Sequence, residues 1–164
     1  MVIIAILIDN KDFVFGGETG RRAGRNGNYG EITQPPQIED GKIVTTCNFN
    51  GIKVKQLLTI VKSSTTGLFN SVKIEYEITN NTSQNHKIGL RLMLDTMLGE
   101  NDGAPFRIGK DAVTVDSLYI KEDLPNFWQA FDSISNPKVT SQGTFKGPAV
   151  TVPDKVYLAD WGSL

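Results

Sequence analysis

Ser71-Val-Lys-Ile-Glu-Tyr-Glu-Ile-Thr79 alternates without a fault: Val72, Ile74, Tyr76 and Ile78 fall on one side, Lys73, Glu75 and Glu77 on the other. Successive side chains of a strand point to opposite faces. A period of two with one apolar and one charged side is therefore the pattern of a half-buried antiparallel strand. Upstream, residues 42–49 and 52–62 are rich in β-branched and apolar side chains and are joined by Asn50-Gly51. Asn-Gly readily takes the two successive positive φ angles of a tight hairpin turn, so three consecutive strands are predicted over 42–79. The alternation puts Ile74 on the core face, where truncation to Ala is expected to cost about 2–5 kcal/mol.

The same reading extends in both directions. The polar turn 80–85 returns the chain into 86–98, where Ile88, Leu90, Leu92 and Leu94 alternate toward the core and Asp95 falls on the other face. Short strands are predicted at 106–108, 112–115 and 117–120, and again at 138–145, 150–152 and 155–159. Phe127-Trp-Gln-Ala-Phe131 fits a helical stripe and a strand face alike, and its β-rich surroundings favour the strand. At the other end, residues 2–8 form a continuous β-branched run that pairs with 13–15 around Asp9-Asn-Lys-Asp12. Short strands at regular turn spacing, with no helix, predict an all-β chain, an antiparallel β-sandwich in a single domain over 1–164. The break in this pattern is 16–37, a glycine-, arginine- and proline-rich stretch read as a flexible loop in which no regular element survives.

The chain of 164 residues carries 17 basic and 18 acidic side chains, so charge draws it toward neither nucleic acid nor an anionic membrane. One cysteine, Cys47, and one histidine, His86, supply neither an internal disulfide nor a His/Cys zinc site. The apolar start, Val2-Ile-Ile-Ala-Ile-Leu-Ile8, is far shorter than the roughly 20 residues of a membrane-spanning helix, so it is read as a strand and no membrane insertion is expected. A chain that opens inside a strand predicts a domain cut from a longer protein. Any export signal would then lie outside it, and an extracellular or cell-surface location is expected on that condition.

One segment has the composition of a site. In Leu94-Asp-Thr-Met-Leu-Gly-Glu-Asn-Asp-Gly-Ala-Pro-Phe106 a strand runs into an acidic, glycine-rich loop that brings Asp95, Glu100, Asn101 and Asp102 within a few residues. Calcium takes six to eight oxygen ligands and favours such clusters, which makes Asp95, Glu100 and Asp102 candidate metal ligands and Ca2+ the candidate ion, although the spacing is not that of an EF-hand. Glycosidases need two carboxyl groups about 5 to 10 Å apart, and the same residues could supply that pair. Against both stands the plain turn, in which Asn101-Asp-Gly103 satisfies its own backbone. All three readings stay open in the sequence.

Other motifs carry less. His86 lies at a turn with no nucleophile elbow to accompany it and is read as a surface histidine. Cys47 alternates with Thr45 and Phe49 as a small buried hydrophobe. Arg21, Arg22 and Arg25 lie among glycines, and Gly24-Arg-Asn-Gly27 copies the letters of a KH-type GxxG loop without the helices that loop joins. Tyr29, Phe127, Trp128 and Trp161 are candidates for stacking on sugar rings, with Trp128 taken into the candidate ligand site, while most aromatics are expected in the core.

Ile74-Glu-Tyr-Glu-Ile-Thr-Asn80, Ile88-Gly-Leu-Arg-Leu-Met-Leu-Asp-Thr-Met-Leu-Gly99, Asn101-Asp-Gly-Ala-Pro-Phe106 and Phe127-Trp-Gln-Ala-Phe-Asp132 resemble uncharacterised bacterial proteins with an LDT-x-LG-x-NDGAPF signature. The similarity covers about residues 42–164 and brings no activity with it. More loosely, a strand ending in Thr-Asn, a turn, and a strand ending in an acidic loop is similar to the galactose-mutarotase-like β-sandwiches of carbohydrate-active proteins. That resemblance implies a supersandwich fold and not the mutarotase reaction, which uses a glutamate with histidines, and this chain has a single histidine. The expected function is thus a non-catalytic accessory or surface module that binds glycan or packs against neighbouring protein domains. The alternative is a carbohydrate-active enzyme, a hydrolase or epimerase, working through Asp95, Glu100 and Asp102.

Overall fold

The computed structural model describes residues 2–22 and 24–159, and among these it is all-β, with antiparallel sheets and no α-helix. Contacts divide the chain into two compact units, one over Val2–Met93 and one from Leu94 onward, where the sequence reading treats 1–164 as one domain.

The first unit is a β-sandwich. Its larger sheet has the order β3-β4-β5-β6, formed by β3 (Glu31–Glu39), β4 (Lys42–Phe49), β5 (Ile52–Val61) and β6 (Ser71–Asn80). The smaller sheet has the order β2-β1-β7, from β1 (Val2–Ile8), β2 (Lys11–Val14) and β7 (Ile88–Leu94). Tight turns set the registers. Asp9 and Asn10 take φ of 48° and 70° between β1 and β2, and Asn50 and Gly51 take 52° and 93° between β4 and β5, as the mirror-image hairpin turn demands. The sheets meet across one cluster of Ile4, Ile6, Ile8, Phe13, Cys47, Phe49, Ile52 and Val54, against which Phe15, Tyr76 and Ile88 pack. Phe13 and Phe49 meet edge to face with centroids 5.5 Å apart, an arrangement that suits the ring quadrupoles. Burial pushes the Cys47 thiol up from its ordinary pKa, as expected of a small core side chain.

Three sequence expectations are corrected here. Residues 31–37 are not loop: β3 spans Glu31–Glu39 with Pro35 and Pro36 inside it. Proline cannot donate to a ladder, and β3 tolerates two because it is an edge strand whose pairing with β4 shifts register between Ile32 and Gln34 and again between Gln34 and Gln37. Ile74 is not a core residue. The face it shares with Val54 and Ile52 is sealed only toward the Asn50-Gly51 turn, and farther along Ile74 is 39% exposed and Val72 55%. Leu90, Leu92 and Leu94 of β7 likewise remain 40–45% exposed, and only Ile88 reaches the cluster. The expected strand at 150–152 is absent, since Pro148 and Pro153 bracket it and Ala149 takes a φ of 60°.

The second unit is built on a sheet of order β12-β11-β8-β9: β8 (Phe106–Ile108), β9 (Asp111–Val113), β11 (Phe127–Phe131) and β12 (Thr140–Thr144). A separate ribbon pairs β10 (Ser117–Ile120) with β13 (Lys155–Leu158). Phe127–Phe131 is a strand, as its surroundings predicted. Its core joins Ala104, Trp128 and Ala130 with Leu98, Phe106, Ile108 and Phe145. Gly143 lies opposite Trp128, and any Cβ there would collide with the indole ring.

Candidate functional site

The acidic loop leaves β7 and closes on itself before β8. Leu98 and Asn101 exchange both backbone hydrogen bonds at 3.0 Å, and Gly99 at φ 60° fills the left-handed position that this turn requires. Asn101 then does two things. Its Nδ2 donates to the Asp132 carbonyl at 2.9 Å and its Oδ1 accepts the Gly103 N–H at 2.9 Å, fastening the turn to the end of β11. Phe131 N–H donates to the Pro105 carbonyl at 3.0 Å and completes the attachment. Asp132 caps the other side, its carboxylate accepting the N–H groups of Lys138 and Val139 at 2.9 and 3.1 Å, and those bonds, that of Val139 foremost, hold its pKa below the usual carboxylate value.

This arrangement spends the Asn101 side chain on backbone groups. Asn101 is half-buried and occupied, Glu100 and Asp102 are exposed, and Asp95 is half-buried. Among the described residues no three His, Cys, Asp or Glu side chains are grouped so as to hold a metal ion. Trp128 is a core side chain, 7% exposed and packed on Phe106 with centroids 5.5 Å apart, so its ring is not presented to a sugar. Of the other aromatic candidates, Phe127 is half-buried in β11, and the hydroxyl of Tyr29 donates to the Gly24 carbonyl at 2.8 Å, pinning the glycine-rich loop. Trp161 lies outside the described residues.

A second polar group is assembled from parts far apart in sequence. His86 Nδ1 lies 2.5 Å from Asp9 Oδ2 and its Nε2 lies 3.0 Å from Thr82 Oγ1, an Asp-His-Thr line resembling a nucleophilic triad. Its hydrogen bonding argues for a clasp. The Thr82 hydroxyl donates to Asn80 Oδ1 at 2.7 Å and accepts the Gln84 N–H at 3.2 Å, leaving it engaged on both sides. Asp9 Oδ1 accepts the Lys87 N–H at 2.8 Å, while Asp9 N–H donates to the Lys87 carbonyl at 3.0 Å. The β1–β2 turn is thereby locked to the start of β7. The His86 hydrogen bond, followed by that of Lys87, holds the Asp9 carboxyl below its usual pKa.

A shallow hollow of about 220 Å³ lies along residues 108–119, lined by Ile108, Val113, Val115 and Tyr119 among others, below the roughly 300–1,000 Å³ of ordinary ligand pockets. What the surface does offer is apolar side chains in register. Ile38 faces Ile43, Ile43 faces Leu58 and Leu58 faces Ile74 across all four strands of the larger sheet, and Ile60 faces Val72 beside them. Their exposures run from 39% at Ile74 to 80% at Ile38, with Leu58 half-buried. On the β10–β13 ribbon, Leu118 and Tyr157 are paired, 59% and 50% exposed, and the Tyr157 hydroxyl donates to Asp116 Oδ2 at 3.3 Å. Sequence reasoning passed over both surfaces. Alternation had placed the first in a core, and the second lies on strands too short to carry a pattern. Compared with known proteins, the chain matches no family model, no curated protein and no solved structure.

Proposed function

We propose that the chain is a non-catalytic β-sandwich accessory or surface module that works through open sheet surface. The observation that carries this is the row Ile38, Ile43, Leu58 and Ile74 with Ile60 and Val72: six aliphatic side chains on one sheet face, all at least partly exposed. Contiguous apolar surface of that kind on a folded domain marks a place where another protein surface docks. Kinship with galactose-mutarotase-like sandwiches belongs to the same proposal and rests on the strand, turn and acidic-loop order together with the sandwich of the first unit.

Glycan binding is the second reading, favoured by Tyr157. An exposed ring beside Leu118 with a carboxylate at its hydroxyl offers a sugar both a stacking face and a hydrogen-bond acceptor. A glycan array with and without calcium, run on the wild type and on Tyr157→Ala, tests it. Binding lost in the variant supports this site, while binding unchanged in the variant moves the glycan elsewhere. Turnover of a carbohydrate substrate that Asp95→Asn or Asp102→Asn abolishes would replace the module reading with the enzymatic one.

A further inference from the structure

The geometry points to a second copy of this chain as the occupant of the β6 edge, the two β6 strands pairing antiparallel about a two-fold axis at Glu75. The inference rests on the module reading above and would make the apolar sheet faces of two copies continuous across the seam. Edge strands usually carry devices that prevent pairing: shortness, proline, bulges or charged side chains. Strand β3 has two prolines and two register shifts, β2, β9, β10, β12 and β13 have five residues or fewer, and β7 has seven. Strand β6 has none of the first three, and the charges it carries, Lys73, Glu75 and Glu77, are of both signs. It runs ten residues in unbroken register with β5, contains no proline, and ends its sheet with no further strand beside it among the described residues.

Its sequence complements itself. A two-fold axis at Glu75 sets Lys73 opposite Glu77 of the other copy twice, Val72 opposite Ile78 twice, Ile74 opposite Tyr76 twice, and Ser71 opposite Thr79 twice. Directly opposed residues in an antiparallel pair share a face, so every apolar residue meets an apolar one and both lysines meet glutamates. The two Glu75 side chains meet on the axis, each already paired with its own Lys73 at 2.6 Å. Moving the axis to Tyr76 would set Glu75 against Glu77 twice, and moving it to Ile74 would leave only residues 71–77 paired, so charge and ladder length together select the register. The pairing also draws Ile74 and Val72, exposed in the single copy, into a seam, and it is isologous as closed dimers require.

The experiment is sedimentation velocity over a wide concentration range on the whole chain, with Lys73→Glu, Glu77→Lys and their equimolar mixture. The wild type is expected to move from 18.0 kDa toward twice that mass as concentration rises. Each single variant sets like charges opposite one another at both contacts and should remain at the monomer mass. The mixture should regain the dimer, because the two acidic side chains of the first variant then face the two lysines of the second at both contacts. Circular dichroism of each variant checks that the sheet survives. A wild type monomeric throughout, or dimers indifferent to both reversals, would overturn the inference. Binding of an apolar dye separates this from failure of the module reading. A monomer that binds dye and loses it in Ile43→Ser/Ile60→Ser keeps the docking face but not the second copy, whereas a monomer that never binds dye removes both.

Discussion

Ile52 and Ile74 lie on the same face of one sheet, on adjacent strands, and differ in exposure, 1% against 39%. Truncating either to Ala removes the same three carbons, so the pair isolates burial from chemistry. For Ile52, three fully buried carbons at about 0.8 kcal/mol each give about 2.4 kcal/mol. The cavity left between the two sheets raises the cost to about 3–4 kcal/mol. For Ile74, roughly three-fifths of the side chain is covered, giving about 1.5 kcal/mol, and water fills the gap without a cavity penalty. The assay is urea unfolding followed by far-ultraviolet circular dichroism, at the lowest concentration the signal allows so that association does not contribute. Tryptophan fluorescence does not serve, because the two tryptophans stand at 128 and 161 and the first unit has none. An unchanged denaturant slope would show that the midpoints report stability alone. Equal losses at the two positions would refute the reasoning, since they would mean that the outer half of the sheet face is sealed in the free chain.

Gly143→Ala should destabilise the second unit by about 1–3 kcal/mol, the usual range for overpacking, because the new methyl meets the Trp128 ring; the fluorescence-detected melting temperature reads it. Asn101→Ala removes two hydrogen bonds that fasten the acidic loop and should cost about 1–3 kcal/mol, whereas Asp102→Asn at an exposed position should stay within about 0.5 kcal/mol. Calcium added to chelator-stripped protein is expected to leave the melting temperature unchanged, and a concentration-dependent rise would favour the metal reading. For pH, Asp9 binds a proton less readily folded than unfolded, where its ordinary value is 3.8. Its contribution is therefore present above that value and is lost as pH falls through the depressed folded pKa. Asp9→Asn should make the acid limb of the melting-temperature profile shallower without flattening it, since Asp132 and Glu75 are shifted the same way; an acid limb identical to the wild type would dismiss the clasp.

The parts legible in the sequence were those written in neighbouring residues. The Asn50-Gly51 hairpin, β6 and the all-β class follow from turn chemistry and a period of two, both of which act over a few residues. Strand β3 was hidden because Pro35-Pro36 reads as a breaker, and its true marker was Asp40-Gly41, whose φ of 48° and 76° make the turn into β4. Alternation tells which face a residue takes but not how far the opposing sheet extends over it. That is why Ile74 and Leu90 were assigned to a core that stops short of them. The Asp9–His86 clasp joins residues 77 apart, and no local pattern announces such a pair. At the acidic loop the composition is legible in the sequence, but the bond from Asn101 to the Asp132 carbonyl joins residues 31 apart and is not.

The two prolines of β3 set a limit on what the larger sheet can build. A sheet with two receptive edges can add copies end to end without closing, and an open series of that kind is the start of a fibre. Because Pro35 and Pro36 and the shifts around them spoil one edge, only the β6 side of this sheet offers a regular ladder, and pairing two such sides leaves no matching edge on that sheet for a third copy. Replacing both prolines with β-branched residues would leave the sandwich core intact and remove that stop, turning a finite assembly into one whose length depends on concentration.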